Sequence, residues 1–186
     1  MHKTLAGLTL DALEVCASET LQAQTVTAVV LALGSNYQAD KYLPRVRESL
    51  AGLGEMQLST AFQNPDFTAT KVQPKPDYTN QCVYLSLNVP MTLQKLEDDF
   101  KQFESDCHRQ RLTEGDSLIK QVTMDIDILM VKMAISENSL SSKTIDGKKA
   151  NHSNQWLVLA DRYPFKAHEK VGINELDMPC RITANS

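Results

Sequence analysis

The sequence predicts an α+β fold in which helices pack on one antiparallel sheet, preceded by an N-terminal helical extension. Two observations carry this prediction. Apolar and polar residues alternate in short segments, as in half-buried strands, and apolar residues recur at helical spacing in longer ones. In the core these segments follow the order strand, helix, strand, strand, helix, strand. That βαββαβ order is typical of the ferredoxin-like arrangement.

The size and composition of the chain indicate one soluble domain. The chain has 186 residues, of which 42% are hydrophobic, and this content supports a single core. Its net charge is -4 and lysines and arginines are not clustered, which argues against a nucleic-acid-binding surface. The four scattered cysteines form no C-x-x-C pair, and no apolar stretch approaches the roughly 20 residues of a membrane span. We therefore expect a cytoplasmic protein without nucleic-acid or membrane partners.

Residues 1–24 are predicted to form an extension in front of the domain at residues 25–186. We predict an amphipathic helix over residues 5–22, because apolar residues recur there at helical spacing. These residues are Leu5, Leu8, Ala12 and Val15. The apolar side of this helix packs either on the domain itself or on a second copy of the chain, so that monomer and homodimer both stay open.

The first half of the domain is predicted to form a strand, a helix and a second strand. Residues 26–33 are nearly all apolar, as in a strand buried on both faces, and a turn follows at Gly34. Asp40 can cap the next helix, which Gly54 ends. The second strand, over residues 56–62, shows clear alternation.

The second half contains two predicted loops around a strand and a helix. Residues 64–79 include three prolines and are longer than a usual connection, which predicts a loop over a site. A strand over residues 83–89 precedes a helix that Thr92 can cap, and a polar loop then leads to the last strand of the core. Residues 134–154 are predicted to be irregular, and residues 156–163 are predicted to form a helix.

The last core strand, residues 121–131, carries Asp125 and Asp127. Because side chains alternate along a strand, both aspartates project from one face, about 6 to 7 Å apart. The opposite face holds Met124, Ile126, Ile128 and Met130. Repulsion between the carboxylates is roughly 2 to 3 kcal/mol at an effective dielectric near 20, and a divalent cation such as Mg²⁺ offsets it. A solvated acidic strand face is the alternative interpretation.

Four short motifs lie in order along the predicted elements. They are Ala32-Leu33-Gly34-Ser35-Asn36, Pro76-Asp77-Tyr78-Thr79-Asn80, Arg109-Gln110-Arg111 and Asp125-Ile126-Asp127-Ile128-Leu129. Together they resemble the 6-hydroxymethyl-7,8-dihydropterin pyrophosphokinase family of folate biosynthesis. The resemblance implies transfer of pyrophosphate from ATP, as co-substrate, to the pterin hydroxymethyl group, with two Mg²⁺ ions as cofactors.

The resemblance also assigns catalytic and nucleotide-binding roles. It implies that Asp125 and Asp127 hold the metal ions and that Arg109 and Arg111 are catalytic and lie by the ATP phosphates. The planar guanidinium group of arginine suits phosphate oxygens. Lys120 would add a positive charge for ATP. The alternative for the two arginines is that they complement the dipole at a helix C-terminus.

The family pattern further implies a pterin pocket in which the ring stacks between two aromatic residues and an amide reads its edge. Tyr78 and Trp156 would be the aromatic residues and Asn80 the amide. The rest of the pocket would be formed by Asn64, Pro65 and Phe67. For Trp156, the alternative is an ordinary core position.

The chain departs from the family pattern at several phosphate-site positions. Those positions hold Ile119, Gln121, Val122, Lys148 and Asn154. Lys120 would replace a lost arginine only as a point charge. The alternative function is therefore a catalytically impaired paralogue that binds a pterin or nucleotide or serves as a protein-interaction module. A different metal-dependent phosphoryl or nucleotidyl transferase is a third possibility.

Overall fold

A computed structural model describes residues 13–65, 70–72, 75–109, 121–134 and 156–177. The strands in these ranges are β1 (Glu14–Cys16), β2 (Thr25–Ser35), β3 (Gly54–Leu58), β4 (Phe62–Asn64), β5 (Tyr78–Thr92), β6 (Asp125–Met133) and β7 (Trp156–Leu159). The helices are α1 (Ser18–Leu21), α2 (Ala39–Ala51), α3 (Leu93–Asp106) and α4 (Ala167–Glu175), with a 3₁₀ helix at Ala160–Arg162. The predicted α+β class is confirmed. Within the described ranges, no helix combines the length and apolar character needed to cross a membrane.

The strands form one sheet in the order β1-β7-β6-β2-β5-β3, and β4 also pairs with β5. β2 lies between β5 and β6 and is antiparallel to both. β1 is parallel to β7 at one edge. From β2 to β6, apart from the short β4, the elements follow the predicted βαββαβ order. The sheet is wider than a four-stranded core, and the ferredoxin-like comparison stays a prediction.

Helices α2 and α3 bury apolar stripes on the same core. The buried residues are Tyr42, Leu43, Val46 and Leu50 of α2, and Leu93, Leu96 and Phe100 of α3. The predicted cap of α3 is confirmed, because the Lys95 backbone N–H donates to the Thr92 hydroxyl at 3.3 Å. The predicted cap of α2 is wrong. Gln38, in the left-handed conformation at φ 52°, precedes this helix, and Asp40 lies in its first turn.

A second core covers the other face of the sheet, and the sequence did not predict the helix that forms it. Phe165, Ile173 and Leu176, in and around α4, pack against residues of the sheet. Gly172 brings α4 close to β5, because a Cβ at this position would lie 2.6 Å from the Cys82 Sγ. Helix α4 therefore covers the face of the sheet that carries the aspartates.

Two predicted helices are wrong in part, because each contains a strand where the structure describes it. Residues 14–16 form β1, and Ser18–Leu21 is helical, while residues 1–12 lie outside the described ranges. Residues 156–159 form β7, which pairs with β1 on one side and β6 on the other. In both segments the apolar spacing fits a helix, but pairing with a distant strand determines the structure.

A β-bulge in β6 moves one residue to the other face. Leu31 pairs with Ile128 and Val30 pairs with Met130, so Leu129 is the extra residue. Met130 consequently lies in the second core, whereas Ile128 lies in the first. The prediction that these two side chains share a face is wrong, because the bulge interrupts the alternation.

Candidate active site

Three antiparallel strands bring distant motifs together at one end of the sheet. β2 ends where β5 and β6 begin, and Gly34 pairs with Asn80 on one side and with Asp125 on the other. Tyr78 is the first residue of β5. The register therefore places Tyr78 and Asn80 of β5 and the aspartates of β6 at the same end of the sheet, on the two sides of β2.

The turn after β2 holds the segment that leads into β6. The Asn36 N–H donates to the Val122 carbonyl at 3.0 Å, and the Val122 N–H donates to the Asn36 Oδ1 at 2.6 Å. The buried Ser35 hydroxyl lies 3.3 Å from the same carbonyl and 3.1 Å from the Tyr37 carbonyl, and its one proton can be donated to either. Ser35 and Asn36 thus fix the start of the aspartate strand. Val122 is buried and belongs to this structural contact.

Two cavities of different character meet at the aspartate pair. The first, of about 430 Å³, is polar, and its charged lining residues are Glu97, Lys101, Glu104, Arg109, Asp161 and Arg162. The second, of about 250 Å³, is bounded by Gly34, Asn64, Pro65, Tyr78, Asn80, Lys166, His168 and Glu169, among others. Asp125 and Asp127 line both cavities. The aspartates therefore form part of the boundary between them.

Asp127 is a partly buried carboxylate whose side chain is 17% exposed. Burial raises its pKa to about 6, and the nearby charge of Asp125 adds to the rise. Arg162 and Lys166 act in the opposite direction, and the Arg162 Nη2 lies 2.6 Å from the Asp127 Oδ1. Ionisation of Asp127 is thus less favourable than that of an ordinary aspartate, and a bound cation would favour it.

Asp125 is more exposed and lies near a buried arginine. The Arg109 Nη2 is 3.9 Å from the Asp125 Oδ1. Arg109 lies three residues after the end of α3, and its backbone N–H donates to the Glu104 carbonyl at 3.0 Å. This hydrogen bond fixes the predicted phosphate-binding residue beside the aspartate pair, in the wall of the polar cavity.

The polar cavity reaches the aspartates along an edge of β6 that β7 does not cover. β7 pairs with residues 130–132 of β6, beyond the aspartates. At the uncovered edge, the buried Glu104 carboxylate accepts a hydrogen bond from the Ile126 N–H at 2.9 Å. Glu104 thereby satisfies a strand donor that would otherwise be left without a partner.

The second cavity has features that suit a flat polar ring. A Cβ at Gly34 would lie 3.3 Å from the Asn80 Oδ1 and 3.9 Å from the Tyr78 Cδ1, so glycine leaves room between them. The Asn64 Nδ2 is buried and has no hydrogen-bond partner within the described ranges. Buried donors are normally paired. An acceptor on a bound molecule would satisfy this one.

Helix α4 contributes residues that the sequence analysis missed. Lys166, His168 and Glu169 line the second cavity at the start of this helix. Burial lowers the pKa of His168 below its ordinary value, which favours a neutral imidazole that can donate or accept a hydrogen bond. The Glu169 carboxylate accepts a hydrogen bond from the Lys166 N–H at 2.7 Å and closes the first turn. No motif marked these residues, since α4 has little apolar periodicity.

Trp156 does not line the second cavity. It pairs with Lys132, which lies roughly 13 Å beyond Asp127 along β6 at ~3.3 Å per residue, since the bulged Leu129 adds no length. Its side chain is 2% exposed and meets the Tyr84 ring edge to face, with 6.1 Å between centroids. The predicted stacking of Trp156 on the pterin is therefore corrected to a core role, because β7 pairs with the far end of β6.

Several predicted residues lie outside the described ranges. These are Phe67, Arg111, Ile119, Lys120, Lys148 and Asn154. The sequence analysis missed Arg162, which lies next to Asp161 and shortly after the apolar run 156–159. That run was interpreted as a helix, so the position of Arg162 beside Asp127 was not foreseen.

The fold and the cavities define an α+β protein with a two-compartment site built around paired carboxylates. Comparison with protein-family models matches residues 30–152 to 7,8-dihydro-6-hydroxymethylpterin-pyrophosphokinase (HPPK). The match spans more than half of the chain, and the protein belongs to this family. The predicted resemblance is thereby confirmed, and at the level of the family it supports pterin pyrophosphokinase activity in folate biosynthesis. A comparison with curated proteins gave no match.

The donor set of the site fits the magnesium that this family uses. Within the described ranges, no group of three or more histidine, cysteine, aspartate or glutamate side chains is arranged to hold a metal ion. Asp125 and Asp127 offer two carboxylates. Mg²⁺ is typically bound by one or two carboxylates, with waters and substrate phosphates as its other ligands.

Proposed function

We propose that this chain transfers the pyrophosphoryl group of ATP to the hydroxymethyl group of 6-hydroxymethyl-7,8-dihydropterin, with Mg²⁺ bound by Asp125 and Asp127. One observation carries the proposal: two cavities of different character share these carboxylates. Transfer between two substrates requires that both bind at once with the reacting atoms adjacent. Cavities that meet at a metal-binding pair provide this arrangement.

ATP occupies the polar cavity in this proposal. Arg109 lies in its wall, within 3.9 Å of Asp125, where a planar guanidinium can contact phosphate oxygens. Arg111 and Lys120 stay predicted phosphate-binding residues. The cavity of about 430 Å³ is within the usual size range of small-molecule sites.

The pterin occupies the second cavity. Tyr78 provides a face for stacking, and the amide of Asn80 can both donate to and accept from the ring edge. The buried Asn64 Nδ2 offers a further donor, and Pro65 adds apolar contact. Phe67 stays a predicted member of this pocket.

The two substrates then react across the aspartate pair. The hydroxymethyl oxygen attacks the β-phosphorus of ATP, the bond from that phosphorus to the oxygen it shares with the α-phosphate breaks, and AMP leaves. The hydroxyl proton passes to water. Mg²⁺ held by Asp125 and Asp127 would supply positive charge for the attacking and leaving oxygens. The side chains of the protein contribute chiefly by positioning, which is the main requirement of phosphoryl transfer.

A second candidate is a paralogue that binds a pterin or nucleotide without catalysis. It is favoured by Val122, which stands at a family phosphate-site position but is buried in the contact with Asn36. A cytoplasmic location, and a monomeric or dimeric state, also stay predictions.

Release of AMP from ATP, Mg²⁺ and hydroxymethyl-dihydropterin tests the proposal. We expect turnover by the wild-type chain, and a loss of at least ~100-fold in Asp125→Asn and Asp127→Asn, because each removes a carboxylate that binds the metal. Asp40→Asn, an exposed substitution in α2, is the matched control and should leave turnover unchanged.

The outcomes separate the two candidates. If the wild-type chain releases no AMP but binds the pterin in calorimetry, the non-catalytic paralogue is correct. If AMP is released equally by the wild type and by Asp127→Asn, the proposed role of the carboxylates is wrong.

A further inference from the structure

We propose that Arg162 is a phosphate-binding residue of this chain, which contacts Asp127 when the nucleotide is absent and the phosphates when ATP is bound. The inference rests on the function proposed above. It concerns a residue outside the family-matched range 30–152. No sequence motif indicated a role for it.

The guanidinium of Arg162 lies in the polar cavity, beside Asp127, which lines both cavities. Its Nη2 is 2.6 Å from the Asp127 Oδ1, and its Nε is 3.4 Å from the Asp161 Oδ2. The side chain is 36% exposed and lines the polar cavity. Since a guanidinium has five N–H donors on three nitrogens, these two contacts leave donors for a ligand oxygen.

The contact with Asp127 competes with metal binding. A cation on the Asp127 Oδ1 would take the oxygen that Arg162 now contacts, since both require the same lone pairs. Arg162 would then remain beside the metal without its closest anion. The phosphates of the nucleotide supply negative charge at that place, and arginine binds phosphate through two parallel hydrogen bonds.

The backbone around Arg162 is held by the sheet. The 3₁₀ helix Ala160–Arg162 directly follows β7, which pairs with β6 on one side and β1 on the other. Leu159, the last residue of β7, is buried and pairs with Cys16. The Arg162 side chain can therefore exchange one partner for another while its backbone stays in position.

Calorimetry with the Mg²⁺ complex of α,β-methylene-ATP tests this role, because the bond that would break in the reaction is replaced. We expect Arg162→Ala to weaken nucleotide binding by about tenfold or more, and Arg162→Lys to fall between that variant and the wild type. Binding of hydroxymethyl-dihydropterin without nucleotide should be unchanged in both, since Arg162 does not line the second cavity. Arg45→Ala, an exposed arginine of α2, is the matched control.

Each other outcome overturns the inference in a distinct way. Equal nucleotide affinity in the wild type and in Arg162→Ala would show that Arg162 does not bind phosphate, while the proposed function would stand. Loss of both nucleotide and pterin binding would show a structural role. Failure of the wild type itself to bind the nucleotide would overturn the proposed function together with this inference.

Discussion

The family-matched range 30–152 and the segments that flank it contribute differently to the site. The matched range supplies the centre of the sheet, the aspartate pair and the proposed ring-binding residues Tyr78 and Asn80. The flanking segments supply β1, β7 and α4, and with them further walls of both cavities. The proposed metal ligands and ring-binding residues thus lie in one part, whereas Arg162 and much of the enclosure come from the other. Substitutions in the two parts should therefore have separable effects.

The largest expected effect is on stability and concerns Asp127 in the matched range. Its folded pKa of about 6 exceeds the ordinary 3.8, so this carboxyl favours the folded state fully below pH ~4 and loses that contribution as the pH rises through 6. At 1.36 kcal/mol per unit, Asp127→Asn should increase the free energy of unfolding at pH 8 by up to about 3 kcal/mol. Denaturant unfolding in a metal-free buffer measures this.

The controls are the same unfolding measurement at pH 4 and a second aspartate variant. At pH 4 the wild type and Asp127→Asn should be equally stable, and Asp40→Asn should follow the wild type at both pH values. If the difference in stability between Asp127→Asn and the wild type is no larger at pH 8 than at pH 4, the raised pKa of Asp127 is wrong.

The next effect concerns the flank and its attachment to the sheet. Gly172→Ala places a Cβ 2.6 Å from the Cys82 Sγ, so α4 or β5 must move. We expect a loss of about 1 to 3 kcal/mol in the free energy of unfolding, with weaker pterin binding, because α4 carries three residues of the second cavity. Adding Cys82→Ala should recover part of the loss. No recovery would mean that the close contact is not its cause.

A smaller effect is expected inside the second cavity, where we propose that the pterin binds. Gly34→Ala adds a methyl group 3.3 Å from the Asn80 Oδ1, and the amide must shift. We expect pterin affinity to fall by about tenfold, equivalent to ~1.4 kcal/mol, with nucleotide affinity retained. Fluorescence titration with the pterin and calorimetry with the nucleotide would separate the two. An equal loss of both affinities would argue against distinct cavities.

The smallest effect concerns β1 at the edge of the sheet. A chain that begins at residue 18 lacks β1, and β7 loses its parallel partner. We expect nucleotide affinity to fall by a few fold, about 1 kcal/mol, because β7 leads directly into the 3₁₀ helix that contains Arg162. Pterin affinity should not change. Unchanged nucleotide affinity would show that β6 alone holds β7 in place.

The part of the structure that depends on local periodicity could be predicted from the sequence. Alternation along β6 placed Asp125 and Asp127 on one face, and the cap of α3 followed from Thr92. The bulge at Leu129 could not be foreseen, since an extra residue in a strand leaves the apolar pattern of the sequence intact.

The flanking part could not be predicted, because long-range contacts determine it. Residues 14–16 and 156–159 have apolar spacing that suits a helix, yet they pair with each other as strands. Helix α4 buries Glu169 and Gly172 beside Ile173, so its buried face is not marked by apolar residues. The roles of Arg162 and the core position of Trp156 both follow from these pairings.

The most direct test of the account is a crystal structure of the protein with Mg²⁺, α,β-methylene-ATP and hydroxymethyl-dihydropterin. We predict metal between the carboxylates of Asp125 and Asp127, the nucleotide in the polar cavity, and the pterin on Tyr78 in the second cavity. The hydroxymethyl oxygen should then face the β-phosphorus across the aspartate pair. Both ligands in one cavity, or phosphates remote from Asp125 and Asp127, would contradict the account.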